Sequence, residues 1–155
     1  MKTASICYLA SIVIINMAFE YIPPVILPDG SLWSIGSILA GAVFVVRDYA
    51  QREVGHRVLL LMFIAGVMSY ILASPFVAMA SLLAFGFSEL VDYIVYSTHK
   101  GTFRQRVVLS SVLSVPVDTV IFLSVINHLS AVGFVTMVAS KMAAVLFVLW
   151  REKQA

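Results

Sequence analysis

Charge is what this 155-residue chain has least of. Asp, Glu, Lys and Arg together make up 12% of it, against about 25% in an ordinary soluble domain. With 61% hydrophobic residues and a mean hydropathy of +1.02, that scarcity excludes a water-soluble globular fold and points to an integral membrane protein. Cysteine is nearly missing too. Cys7 has no second cysteine to join, so a disulfide framework and a cysteine-based metal site are both excluded. Polar stretches are short, which leaves no room for a separate soluble domain and makes residues 1–155 a single transmembrane domain. The only basic cluster outside the apolar runs is the short loop from Lys100 to Arg106, too little for a nucleic-acid surface.

What is present is apolar sequence in helix-length pieces. A helix needs roughly 20 residues to cross a hydrocarbon core about 30 Å thick, and the chain divides into six such runs, near 4–22, 32–50, 58–74, 76–97, 107–127 and 130–150. Pro23-Pro24 and Pro28-Asp29-Gly30 end the first, because proline has no amide hydrogen and disfavours helix in the residue before it. Arg52 to Arg57, Ser74-Pro75, His99 to Arg106 and Asn127-His128 supply the other breaks, with Pro75 suited to a first helical turn. The expected fold class is therefore all-α, a polytopic bundle of six transmembrane helices. A secretory signal in the first run is not expected, since no small-x-small cleavage site precedes Glu20 and more spans follow.

Basic residues accumulate on cytoplasmic loops. Six crossings put Lys2, Arg52, Arg57, Lys100, Arg104, Arg106, Arg151 and Lys153 on one side, and no Lys or Arg in a loop on the other. Both termini are thus expected in the cytoplasm. In the same topology His56 and His99 are cytoplasmic and His128 external, so the histidines form no common metal site. No histidine lies deep enough to serve an intramembrane serine nucleophile. An enzyme is not expected, nor a cofactor.

The few charges inside the helices carry the functional reading, because a charged side chain deep in a bilayer costs about 2.5 kcal/mol or more and normally faces a polar cavity. They are Arg47 with Asp48, Glu89 with Asp92, Asp118, and Lys141. Glu89 and Asp92 are three apart and Asp92 and Tyr96 four apart, so they share a helix face. Two readings stand for the carboxylates: pairing with Arg47 or Lys141 to pin the bundle, or accepting hydrogen bonds from ring NH and exocyclic amino donors of a heterocycle. Phe85, Phe87 and Tyr93 are near enough in sequence to offer a stacking surface. Pro116, two residues before Asp118, is expected to bend and interrupt the fifth helix and expose polar backbone there. Lys141 needs a carboxylate partner. Arg47 can snorkel to the interface. Gly36, Ser37, Ala40 and Gly41 form small-xxx-small pairs suited to close helix packing. Asn16 and Glu20 are placed towards an external entrance.

The stretch from Phe44 to Gly55, FVVRDYAQREVG, followed by Ala80-Ser81, Ala84, Glu89, Asp92 and Tyr96, then Ser111 to Pro116, Asp118, Thr119 and Phe122, then Lys141, resembles the queuosine-precursor transporters. This group is also called the vitamin uptake transporter family, six-helix carriers of the bacterial inner membrane. The resemblance runs in order over essentially the whole membrane portion. It implies uptake of a 7-deazaguanine, 7-cyano-7-deazaguanine or its 7-aminomethyl form, with Asn16, Asp48, Gln51, Gly55, Asp92, Asp118, Thr119 and Lys141 as carried-over residues. Two departures bear on substrate identity: residue 89 is Glu where some members have Gln, and the chain lacks extended termini.

The expectation is a secondary transporter in which a planar purine-like base sits between the fourth, fifth and sixth helices. Glu89 or Asp92 would hold its amidine-like edge, Phe85 and Tyr93 would stack on it, and Asp118 and Lys141 would form a rearranging charge pair. Buried carboxylates also raise proton coupling. The alternatives are the substrate-binding subunit of an energy-coupling-factor vitamin importer, docked through Gly36, Ala40 and Gly41, a carrier of a related purine-like base, and a non-transporting scaffold. Partners reduce to the small molecule and membrane lipid, with homo-oligomerisation left open.

Overall fold

A computed structural model describes residues 3–72 and 75–154. Six α-helices fill most of this length: α1 Thr3–Tyr21, α2 Gly36–Val54, α3 Val58–Leu72, α4 Pro75–Thr98, α5 Phe103–Val125 and α6 Ala131–Gln154. The class is all-α. Lys2 and Ser74, which bear on topology and on the third break, lie outside the described residues.

Among the described residues, four stretches are long and apolar enough to cross a membrane: Gly36–Leu72, Met79–Thr98, Phe103–Val125 and Ala131–Arg151, with Thr3–Phe19 as a shorter apolar helix. The first of these is not one rod. Gly55, at φ +60° and ψ −138°, occupies a backbone region open essentially to glycine alone. It starts a single 3-10 turn, Gly55–Arg57, from which α3 returns alongside the path of α2. The ends prove the reversal: the amides of Ala4 and Ser5 donate to the Glu53 carboxylate at 3.1–3.3 Å, while Ser69 donates to Asn16 at the other end of α1. Glu53 thereby satisfies orphan amides at the start of α1 and sits at the positive end of its dipole.

Later pairs continue the alternation, with Asp92 opposite Ser114, Ser88 opposite Asp118, and Asp118 opposite Lys141. Arg52, Arg57, Lys100, Arg104, Arg106 and Arg151 consequently gather at one end of the bundle. There Arg106 lies 3.9 Å over the Tyr96 ring and donates from Nε to the Tyr96 carbonyl, and Arg52 lies 5.1 Å over Phe103. His56 and His99 belong to this end and His128 to the other.

The opposite end carries an element that hydropathy hides. Leu32 and Trp33, expected as the start of the second helix, belong instead to a hairpin of β1 Val25–Ile26 and β2 Leu32–Trp33, paired Val25 to Trp33 and Ile26 to Leu32, and Ser34 and Ile35 lead from it into α2. Gly30 at φ +81° permits the turn. Ser31 donates its hydroxyl and amide to Asp29, which holds that carboxyl below its usual range. Trp33 ties the hairpin to α6 by donating Nε1–H to Ser140 Oγ at 2.7 Å.

Helix α5 starts earlier than hydropathy marks it, at Phe103, because Thr102 and Gln105 form a reciprocal capping box. It also runs unbroken through Pro116 to Val125, so the expected interruption is absent. The packing is inside-out relative to a soluble protein: Phe63 is 70% exposed and Ile71 73%, while Arg47, Asp48 and Asp92 are fully buried. An apolar exterior around charged residues is the arrangement a bilayer demands.

Candidate functional site

Two small ionic centres hold the middle of the bundle, and one cavity touches both. The first is built on Arg47 of α2. It is 0% exposed and does not snorkel, because α4 presents Glu89 and Asp92 at one helical turn's spacing directly against it. Nε donates to Glu89 Oε2 at 3.1 Å and Nη2 to the Glu89 carbonyl at 3.0 Å. Nη1 donates to Asp48 Oδ1 at 2.5 Å and to Gln51 Oε1 at 2.9 Å. Those two bonds use both hydrogens of Nη1. Asp92 Oδ2, 3.0 Å from the same nitrogen, therefore feels its charge without receiving a hydrogen bond. Neighbouring hydroxyls complete the centre: Tyr8 donates to Glu89 Oε2 at 3.2 Å, Ser110 to Asp48 Oδ2 at 3.5 Å and Ser114 to Asp92 Oδ1 at 3.3 Å. Gln51 donates onward to Ser97.

The second centre joins α5 and α6. Lys141, 2% exposed, donates to Asp118 Oδ2 at 2.5 Å and to Thr119 Oγ1 at 2.9 Å. Thr119 donates in turn to the Val115 carbonyl, and Ser88 donates to Asp118 Oδ1. Helix α2 approaches this point closely. A Cβ on Gly41 would lie 2.7 Å from the Lys141 Cα, so only glycine lets α2 and α6 meet there.

Between the two centres lies a cavity of about 60 Å³. Its polar wall is Asn16, Ser69, Ser81, Glu89, Asp118 and Lys141, and its aromatic wall Phe19, Phe44, Phe85 and Phe122. All six helices contribute, rather than the fourth to sixth alone, because α2 packs along α6 and brings α1 and, through α1, α3 to the same space. On the hairpin side a second cavity of about 210 Å³ is lined by Leu32, Ser34 and His128 among others. The two share Phe19, Phe122 and Met137, with the phenyl rings tilted at a centroid distance of 5.8 Å. One layer of side chains separates them.

Of the residues singled out from sequence, Asn16, Phe85, Glu89, Asp118 and Lys141 line the central cavity. Asp48, Gln51 and Asp92 stand behind Glu89 in the Arg47 centre, and Thr119 supports Lys141. Asp92 is thus not a cavity ligand; Arg47 and Ser114 hold it. Tyr93 is turned away, its hydroxyl 2.6 Å from His56 Nδ1 at the basic end, and Phe87 is 56% exposed on the apolar exterior. Asn16 lies inside the bundle rather than at an entrance. It donates to the Ile12 carbonyl and accepts from Ser69. The Glu20 side chain lies outside what is described. Gly36 and Gly41 face Phe19 and Lys141 within the bundle, so they do not form an outward docking face. Sequence reasoning missed Tyr8, Phe19 and Ser110, and gave Phe44 and Ser114, named only within the family-like stretches, no role of their own. A hydroxyl or phenyl on an apolar helix carries no signal until its neighbours are known.

Comparison with protein-family models, with curated proteins and with solved structures returns no match for this chain.

Proposed function

We propose that this protein is a secondary transporter that carries a planar purine-like base across a membrane. The resemblance read from the sequence makes 7-cyano-7-deazaguanine or its 7-aminomethyl form the first candidates. The observation that carries the reading is the central cavity: an acceptor at Glu89, an adjustable Asp118–Lys141 pair and phenyl walls, set one side-chain layer from a vestibule. A ring NH beside an exocyclic amine matches a carboxylate, and the phenyl groups match a π-face. Phe19, Phe122 and Met137 stand between the central cavity and the outer one, and in the proposed cycle these side chains part to admit the base. The Arg47 centre closes the path towards the basic end. Alternation between these two closures is the proposed transport cycle.

In this reading the chain crosses a bacterial inner membrane six times. Its basic end and both termini are cytoplasmic by the charge rule, and the hairpin end faces outward. No chemical transformation and no cofactor is involved.

The test is uptake of labelled 7-deazaguanines into proteoliposomes containing this chain alone, paired with queuosine rescue in a bacterium unable to make or import the precursor. Accumulation of one base, with rescue by the same base, supports the proposal. Rescue in cells without uptake by the isolated chain would point to an energy-coupling-factor subunit that needs an ATP-driven partner. Failure of both removes the transport reading. The pairing of Arg47 with Glu89 and Asp92 favours a second reading, in which the charges only pin the bundle. That reading predicts that Glu89→Gln changes stability without changing uptake per folded molecule.

A further inference from the structure

The charges of the Arg47 centre do not balance. Three carboxylates, Asp48, Glu89 and Asp92, surround one guanidinium, and all four side chains are at most 1% exposed. Every group facing the centre from neighbouring helices is neutral or already committed. Helix α1 brings Tyr8, whose proton goes to Glu89 Oε2. Helix α5 brings Ser110 and Ser114, which donate to Asp48 and Asp92. Helix α3 brings no charge; its Tyr70 lines an apolar groove that Glu89 also borders. On α6, Lys141 is engaged by Asp118 and Thr119. Two carboxylate oxygens are left without a hydrogen-bond partner among the described residues, Glu89 Oε1 and Asp92 Oδ2. With all three acids ionised, the site would hold two uncompensated negative charges where each buried ion costs several kcal/mol. A proton on one of these carboxyls removes one of the two charges.

We propose that the Arg47 centre is a proton-binding site, with Glu89 as the carboxyl that links the proton to the central cavity. Glu89 is the member of the centre that also lines that cavity. Its Oε2 is fixed by Arg47 and Tyr8, which leaves Oε1 as the exchangeable position. Protonated, Oε1 is a donor; ionised, it is an acceptor for the N–H groups of an amidine-like ligand. Ligand and proton therefore compete for one oxygen, and binding of the ligand expels the proton. The competition rests on the transport reading; the proton site does not.

Infrared difference spectroscopy of the purified chain tests the site without any substrate. Wild type should show the carbonyl stretch of a protonated buried carboxyl at neutral pH. Glu89→Gln should abolish that band and Asp118→Asn should retain it. Absence of the band from wild type overturns the proton site, and a band indifferent to Glu89→Gln overturns the part given to Glu89. If Glu89→Gln does not fold, Tyr8→Phe serves instead: it removes the donor to Oε2 and should shift the band, and an unmoved band counts against Glu89. Calorimetric titration with 7-cyano-7-deazaguanine in two buffers of different ionisation heat then tests the link, with about one proton released per ligand expected. Binding without proton release refutes the competition. No binding heat at all counts against the transport reading, while the proton site still stands or falls by the infrared band.

Discussion

Lys141→Met removes an ammonium that is 2% exposed and leaves Asp118, 14% exposed, with a hydrogen bond from the Ser88 hydroxyl but no cation beside it. Removing one partner of a buried ion pair costs on the order of 3–5 kcal/mol, because the other charge stays buried and uncompensated. Asp118 keeps some exposure where it borders the cavity, so the lower end applies, about 3 kcal/mol. In a chain of this size each kcal/mol moves the midpoint by about 2–4 °C, which places Lys141→Met about 6–12 °C below wild type. Asp118→Asn should fall by a similar amount, since it strands the ammonium instead. The informative variant is the double one, Lys141→Met with Asp118→Asn. It carries neither charge, and should return to within about 1–2 kcal/mol of wild type. Thermal unfolding in detergent can be followed through Trp33, which is hydrogen-bonded to Ser140 beside Lys141. A double variant no more stable than the singles would falsify the claim that these two side chains neutralise each other.

Gly41→Ala places a methyl 2.7 Å from the Lys141 Cα, so α2 and α6 must separate; overpacking of this kind costs about 1–3 kcal/mol, read as a lowered melting midpoint, and an unchanged midpoint would contradict the packing. Gly55→Ala meets no atom within 4 Å, which isolates the backbone: about 1–3 kcal/mol is expected from φ +60° alone, and a neutral result would show that the turn relaxes. Phe19→Ala opens the layer between the two cavities. A cysteine at Asn16 should then react with an externally added thiol reagent at least about tenfold faster than with Phe19 in place, a change of about 1.4 kcal/mol in accessibility; equal rates would count against a barrier at Phe19. Arg47→Met leaves three buried carboxylates without their cation, and should destabilise by on the order of 3–5 kcal/mol, whereas a snorkelling arginine would lose almost nothing by the same melting assay.

The amino-acid sequence by itself determined the all-α class and the presence of helices apolar enough to cross a membrane. It did so because apolar length depends on composition along the chain and not on which helix neighbours which. Among the described residues it also located every buried charge, since Arg47, Asp48, Glu89, Asp92, Asp118 and Lys141 are conspicuous against apolar surroundings. Partnership was another matter. Helical spacing puts Glu89 and Asp92 on one face, yet does not say whether that face meets Arg47 or Lys141. The rotation of α4, packed between α3 and α5, turned both carboxylates to Arg47 of α2 and left Asp118 for Lys141. The same packing turned Tyr93 to His56 and Phe87 to the exterior, and brought Phe19 to Phe122. The hairpin at 25–33 escaped notice because two-residue strands carry no periodicity; pairing across Gly30 and the bond from Trp33 to Ser140 exist only once α6 stands beside them. Composition fixes which side chains must avoid lipid. Only the order and rotation of the helices decide which of them meet around the cavity.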